Sequence, residues 1–288
     1  MPFGGDGDRC PRRDEVVAYL ASYAARLDAE IRTRTRVVEV RPDGKGFAVA
    51  LEGGQQLAAR AVVAASGTFG RPYRPDLPGL AHFAGSVLHA ADYRTSEPFA
   101  GQRVIVVGAG DSAVQIAAEL ATAARVTLAS RTPARFARQH ILGRGLRFWL
   151  ARTGIDTAPV DRFLRTPPTQ LVIDDSRYRA ALDVGIPDCR SSPAATAARV
   201  TWPDGTVEAI DAVLLATGYR PDLPYFDGFG ALDGQGHPLH RDGASLTHPG
   251  LVYVGPEWQR SLSSNSLRGV GRDAVRAARR LAAHLARS

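Results

Sequence analysis

The chain has 288 residues, 44% of them hydrophobic, and a net charge of +7. That is enough apolar material for one large domain or two ordinary ones. No run approaches the ~20 apolar residues of a membrane span. The opening Met1-Pro-Phe-Gly-Gly-Asp lacks the basic and apolar regions of a signal peptide, so a cytoplasmic protein is expected, with no membrane partner. The basic residues are scattered arginines, with Lys45 the only lysine, and no clustered stripe marks nucleic acid as a partner. Cys10 and Cys189 lie far apart, without Cys-x-x-Cys spacing or a cluster of metal ligands around them. This argues against a dithiol reductase and gives no metal site.

In chain order, residues 14–27 read as a helix: Asp14 and Glu15 open it, and Val16, Val17, Leu20, Tyr23, Ala24 and Leu27 recur at helical spacing. Two β-like runs, 36–41 and 47–52, flank the turn Pro42-Asp43-Gly44. A short apolar strand, 61–65, ends in Ser66-Gly67-Thr68. The segment from Arg71 to Gly79 is too proline-rich for a helix or inner strand and reads as a stiff connector. A domain crossing is expected near 94–101.

Residues 103–131 form the clearest unit: strand 103–107, a glycine loop, a helix from Ser112 to about Ala123, and strand 125–129. This is a βαβ unit of about 30 residues. Residues 141–150 carry a helical pattern, Thr166-Pro167-Pro168 breaks the pattern, and Pro203-Asp204-Gly205 turns a hairpin between 200–202 and 206–208. Strand 211–216 ends in Thr217-Gly218-Tyr219, strand 251–254 ends at Gly255, and a helix from about Asn265 to Leu285 closes the chain.

The loop Gly108-x-Gly110-xx-Ala113 sits between a strand and a helix, the context in which such a loop binds a dinucleotide. Gly108 permits the tight turn, Gly110 lets the backbone approach a pyrophosphate, and Ala113 lets helix and strand pack closely. Asp111 and Ser112 open a helix whose free N–H groups attract phosphate. The second strand ends in Ser130-Arg131, a hydroxyl and a guanidinium where an NAD site carries a carboxylate, which favours the 2′-phosphate of NADPH. On their own, Phe83, Gly85, His89 and Tyr93 read equally well as core and turn residues.

The spacing Phe83-x-Gly85-xxx-His89-xxx-Tyr93, just ahead of that loop, resembles the identifying sequence of flavin-containing monooxygenases. Thr217-Gly218-Tyr219 is similar to the family's Ala-Thr-Gly-Tyr motif. Ser66-Gly67-Thr68 with Pro72, Pro75, Pro78 and Gly79 looks like the matching first crossing, and Val37 stands where the backbone meets the flavin's adenine. The likeness is nearest to bacterial members encoded near arsenic and metal-resistance functions.

The resemblance implies an α/β fold of two Rossmann-like domains, binding FAD and NAD(P). A nicotinamide domain (101–209) is inserted into a flavin domain (1–100 and 210–288) that is N-terminally incomplete. It also implies FAD and NADPH as cofactors and a flavin C4a-hydroperoxide formed with O2. One oxygen would pass to a small substrate with a nucleophilic nitrogen or sulfur, or to a carbonyl compound. Tyr93 at the end of the motif leans toward nitrogen or sulfur. His89 would be a positioning residue at the domain junction, not a proton donor.

One departure stands out. No first Gly-x-Gly-xx-Gly loop precedes residue 100, and about 60 residues, two βα units, are expected to be missing. Since that first strand is central in such a sheet, unpaired strand edges are expected. A separate N-terminal flavin-binding piece, a non-catalytic NADP-binding remnant and an oligomer all stay open.

Overall fold

The structure is a computed structural model that describes residues 11–159, 171–174, 176–185, 187–191, 194–196 and 199–287. Cys10 and Thr166-Pro167-Pro168 fall outside them. Helix α1 (Arg13–Ala24) starts where its acidic pair dictates: the Glu15 carboxylate accepts the Arg12 backbone N–H at 2.6 Å, satisfying an otherwise orphaned donor. It stops short of the expected Leu27, and none of its residues is buried. Strands β1 (Val37–Asp43), β2 (Gly46–Leu51) and β3 (Gln56–Ala59) form an antiparallel meander. β4 (Val62–Ala64) leads to the proline-rich connector, within which β5 (Arg71–Pro72) makes one short pairing.

The βαβ unit follows as expected: β6 (Ser86–His89), then β7 (Arg103–Val107), α2 (Asp111–Leu120) and β8 (Arg125–Ser130). Beyond it come β9 (Phe136–Arg138) and a tight hairpin of β10 (His140–Ile141) and β11 (Arg144–Gly145). The helix expected from Ile141 therefore begins only at α3 (Leu146–Thr153). Leu142 and Gly143 adopt φ of +49° and +71°, left-handed values that turn the chain back before it can coil. Then come β12 (Val172–Asp174), α4 (Arg177–Asp183) and β13 (Asp188–Ser191). The Asp174 carboxylate caps α4 by accepting the N–H groups of Tyr178 and Arg179.

β14 (Ala194–Thr196), β15 (Arg199–Thr201) and β16 (Val207–Ala209) form a second meander, which includes the expected hairpin. β17 (Ala212–Leu215) and β18 (Tyr219–Arg220) precede β19 (His240–Arg241), β20 (Ala244–Ser245), β21 (Leu251–Tyr253) and α5 (Val270–Leu285). α5 starts later than Asn265 because hydroxyls in the preceding segment compete for backbone groups: Ser264 Oγ accepts the N–H groups of Arg260 and Ser261.

The central layer is a five-stranded parallel sheet in the order β13-β8-β7-β17-β6. Both of its faces are covered, and residues alternate between them as strand geometry requires. Val104, Val106 and Leu214 meet Ala113, Val114, Ala117 and Leu120 of α2 on one side. Ile105, Val107, Val213 and Leu215 meet Phe83 and Trp202 on the other. β6, which precedes the crossing expected near 94–101, and β17, which follows the boundary expected at 210, both belong to this sheet. The chain passes between its two halves at the antiparallel β5–β18 pair, residues 71–72 and 219–220.

The second half is a four-stranded sheet in the order β19-β20-β21-β4, beside the β1-β2-β3 meander. Phe226, Phe229, Leu251 and Tyr253 form its core, and α5 covers β21 through Ala277, Val270 and Leu281. β4 pairs with β21 alone, so its other edge has no strand beside it among the described residues.

Candidate functional site

Two glycine-bearing loops and one histidine meet at the junction of the halves. Gly108 ends β7 with φ of +148°, and a Cβ there would stand 2.4 Å from the Ala216 carbonyl oxygen and 3.0 Å from Ala113 Cβ. Only glycine leaves α2 that close to the sheet. Gly110, the residue before α2, is different: a Cβ there would meet nothing within 4 Å, so the space outside its backbone is open. Ala113 is fully buried. Ser112 is exposed at the helix start, where an α-helix leaves its first N–H groups without intrahelical partners.

Asp111 does more than open the helix. Its carboxylate accepts the Ile173 N–H at 3.2 Å, tying the loop to β12. Burial pushes its pKa up, and the Ile173 bond opposes that shift. At the end of β8, Ser130 lines a cavity of about 400 Å³ with Phe136, Arg179 and Leu182. Its hydroxyl is spent on the Thr132 carbonyl at 2.8 Å. Arg131 is exposed. Cys189 borders the same cavity, and burial, followed by the neighbouring Asp188 charge, raises its thiol pKa.

His89 is fully buried at the end of β6. The Ala91 N–H donates to Nδ1 at 3.1 Å, so Nε2 carries the proton and donates to the Gly218 carbonyl, also at 3.1 Å. Burial lowers its pKa, the Gly218 carbonyl opposes that, Arg74 lowers it further and Asp92 raises it. Because Nδ1 accepts the Ala91 N–H, the imidazole is neutral, with one tautomer set by its backbone partners.

The Gly218 carbonyl also accepts the Tyr73 N–H at 2.9 Å, while the Thr217 hydroxyl donates to the Tyr73 carbonyl at 2.5 Å. The Tyr219 ring meets His89 edge-on at 5.2 Å and Phe69 at 5.6 Å. One ring and one carbonyl therefore join β6 to both crossings. Phe69 and Tyr73 complete this junction. Their signal in the sequence was an aromatic residue on each side of Gly70-Arg71-Pro72, which no periodicity singles out.

The other motif residues pack. A Cβ on Gly85 would lie 2.4 Å from both the Asp211 carbonyl and the Phe83 ring. Tyr93 packs against the α2 layer and stacks on Phe99, and burial, followed by Glu119, raises its phenol pKa.

On the other half, Val37 and Ser66 line a cavity of about 590 Å³ with Val62, Val63, Ala65 and Tyr225. Ser66 Oγ and the Tyr225 hydroxyl are 2.6 Å apart. Gly67 has φ of +69°, and Thr68 Oγ1 accepts the Glu257 N–H at 2.7 Å, holding the first crossing to the end of β21. No cluster of metal ligands occurs among the described residues.

Comparison with known proteins places the chain in a family. Residues 5–151 match the family described as pyridine nucleotide-disulphide oxidoreductase. The fold matches a flavin-containing monooxygenase from Stenotrophomonas maltophilia with a TM-score of 0.84 and 31% identity, covering 99% of this chain and 81% of that one. The chain belongs to the flavin-containing monooxygenase family. FAD and NADPH are the cofactors of that family, and the two-domain Rossmann-like architecture is its fold.

Among curated relatives, the rice (Oryza sativa subsp. japonica) indole-3-pyruvate monooxygenase YUCCA1 is 30% identical over 262 residues, covering 78% of this chain and 63% of its own length. A CzcO-like oxidoreductase of Geobacillus kaustophilus is 26% identical, covering 95% of this chain and 79% of its own. No helix among the described residues is long and apolar enough to cross a membrane.

Proposed function

We propose that the chain is an NADPH-dependent flavoprotein monooxygenase component that passes one oxygen from O2 to a small substrate, through a nucleophilic nitrogen or sulfur or at a carbonyl. The observation that carries this reading is the junction at His89. There the nucleotide sheet, the Thr217-Gly218-Tyr219 crossing and the connector after Ser66-Gly67-Thr68 share one hydrogen-bonded centre. Such a junction sets where a nicotinamide ring would meet a flavin.

The residues fit the nicotinamide nucleotide well. Gly108 to Ala113 form the cradle, the open space at Gly110 admits the pyrophosphate, and the start of α2 supplies N–H donors. Arg131, exposed at the end of β8, would grip the 2′-phosphate, its fork matching phosphate geometry. For FAD, the residues fit one end: Val37 and Ser66 wall the cavity beside β4, with Gly67 and Thr68 next in the chain. Among the described residues no second glycine loop between a strand and a helix holds the flavin's own pyrophosphate.

When bound, the flavin supplies hydride acceptance and the reaction with O2. The chain's own residues bind, orient and exclude water. His89, neutral and holding the Gly218 carbonyl, acts as a positioning residue.

The free edge of β4 favours a specific form of this reading. A further strand-bearing segment, from this protein or a partner, seats on that edge and completes the flavin site. To test both parts, the purified chain would be supplied with FAD, desalted, titrated with NADPH and followed from about 300 to 550 nm, the range of the flavin chromophore. NADPH binding with little retained flavin is the expected result. A chain that binds no NADPH would end the functional reading, and one that keeps flavin without any added segment would end the completion reading.

A further inference from the structure

Arginines repeat along the last helix: Arg268 just ahead of it, then Arg272, Arg276 and Arg280 every four residues, with Arg279 beside them. That spacing stacks like charges on one helix face, an unfavourable arrangement for an isolated helix. The row is largely exposed and borders a concavity. Arg260, Arg272, Arg276, Arg279 and Arg280 all line one cavity of about 910 Å³, whose opposite wall is the Gly154 to Pro159 turn.

Three buried carboxylates lie nearby, and each is already committed. Asp273 takes Arg260 Nε at 2.6 Å, and both side chains are buried. Asp242 takes Arg280 Nη2 at 2.8 Å, and its carbonyl takes Arg280 Nη1 at 2.6 Å. Asp156 pairs with Arg268.

Three guanidinium groups are left over. Arg272 donates to a neutral partner, the Thr157 hydroxyl, at 2.6 Å. Arg276 reaches no closer than 4.0 Å to an Asp242 oxygen that Arg280 already holds. Among the described residues, Arg279 has no hydrogen bond or ion pair, and no carboxylate belongs to the cavity wall. A concave site with a surplus of one sign of charge concentrates the opposite ion.

We propose that this cavity is a binding site for a small phosphate-bearing anion, held by Arg272, Arg276 and Arg279. Phosphate is the matching chemistry because the planar fork of arginine bonds two of its oxygens at once. The volume lies within the range of small-molecule sites, roughly 300–1,000 Å³. The site shares no residue with the Ser130 cavity or with the Gly108–Ala113 loop, so it is separate from the nucleotide site proposed above. Arg260 and Arg280 brace it from beneath through their buried aspartates.

The test is a calorimetric titration of the purified chain with inorganic pyrophosphate at fixed ionic strength. Arg279→Gln carries little folding risk, since the side chain is exposed and makes no described bond; it should weaken binding roughly tenfold or more, the loss of a charge-assisted contact. The double variant Arg276→Ala/Arg279→Ala should abolish it. Arg287→Ala, which removes a charge just past the end of the same helix and outside the cavity, should bind like the parent chain. The proposal is overturned if the parent chain takes up no pyrophosphate, if Arg279→Gln binds as the parent does, or if Arg287→Ala weakens binding as much.

Discussion

The two halves of the molecule bury their apolar residues very differently. In the nucleotide half, β7 and β17 are inner strands whose residues from Val104 to Val107 and from Ala212 to Leu215 are all at most 7% exposed. In the flavin half, Val63 of the edge strand β4 is 49% exposed, and Val17, Leu20 and Tyr23 of α1 are 46–56% exposed. Both halves draw on the same residue types, so composition does not explain the contrast. The first half encloses its own core. The second presents a strand edge and an apolar helix face that a further layer would cover, which is why the flavin site is read as one to be completed.

The sharpest break in this comparison comes from the glycine loop. Gly108→Val would push a side chain into the Ala216 carbonyl at a positive φ, costing more than about 1–3 kcal/mol of stability and the nucleotide site with it. Gly110→Val, with open space around it, should fold with an unchanged melting temperature yet lose NADPH affinity by roughly 100-fold or more, because only the ligand's approach is blocked. Fluorescence titration beside thermal melting separates the two, and a Gly110→Val protein with normal affinity would remove the loop from the account.

Core truncation sharpens the contrast next. Leu214→Ala, at a fully buried position, should cost about 2–5 kcal/mol in denaturant unfolding. Leu20→Ala on α1 should stay within about 0.5 kcal/mol. Equal losses would mean that α1 has a partner in solution.

Arg131→Ala should weaken NADPH by roughly tenfold or more, on the scale of a lost charge-assisted bond, and leave NADH almost untouched. Equal losses for both cofactors would remove the 2′-phosphate assignment.

The smallest effect is on pH. Burial holds the pKa of His89 below its unfolded value of 6.5. The unfolded chain then binds more protons than the folded one between the folded and unfolded values. Stability is complete above 6.5 and falls as pH drops through that window. His89→Gln should flatten the fall, measured as unfolding midpoints from pH 7 downward; an unchanged slope would show that another group titrates there.

Much of this was legible in the residues. The unit of β7, α2 and β8 announced itself because strand period, glycine loop and helix period follow one another without interruption. The hairpin at Asp204-Gly205 was equally plain. The helix expected from Ile141 failed on local conformation, since Leu142 and Gly143 turn the chain back first. The place of β6 beside β17 was hidden for another reason: that pairing joins residues 86–89 to 212–215, and no local pattern encodes such a contact.

The same limit applied to charge. The arginines look scattered along the sequence, and only the folded α5 brings Arg272, Arg276 and Arg279 to one cavity. His89 could be read as a positioning group from its motif, but its tautomer required the backbone of Ala91 and Gly218.

The most direct test of the central claim is to measure NADPH and FAD binding to the purified chain side by side, before and after adding a peptide that can pair with the β4 edge. The account predicts tight NADPH binding throughout, with flavin retained through desalting only when that edge is filled. A chain that retains flavin alone, or that fails to bind NADPH at all, would contradict it.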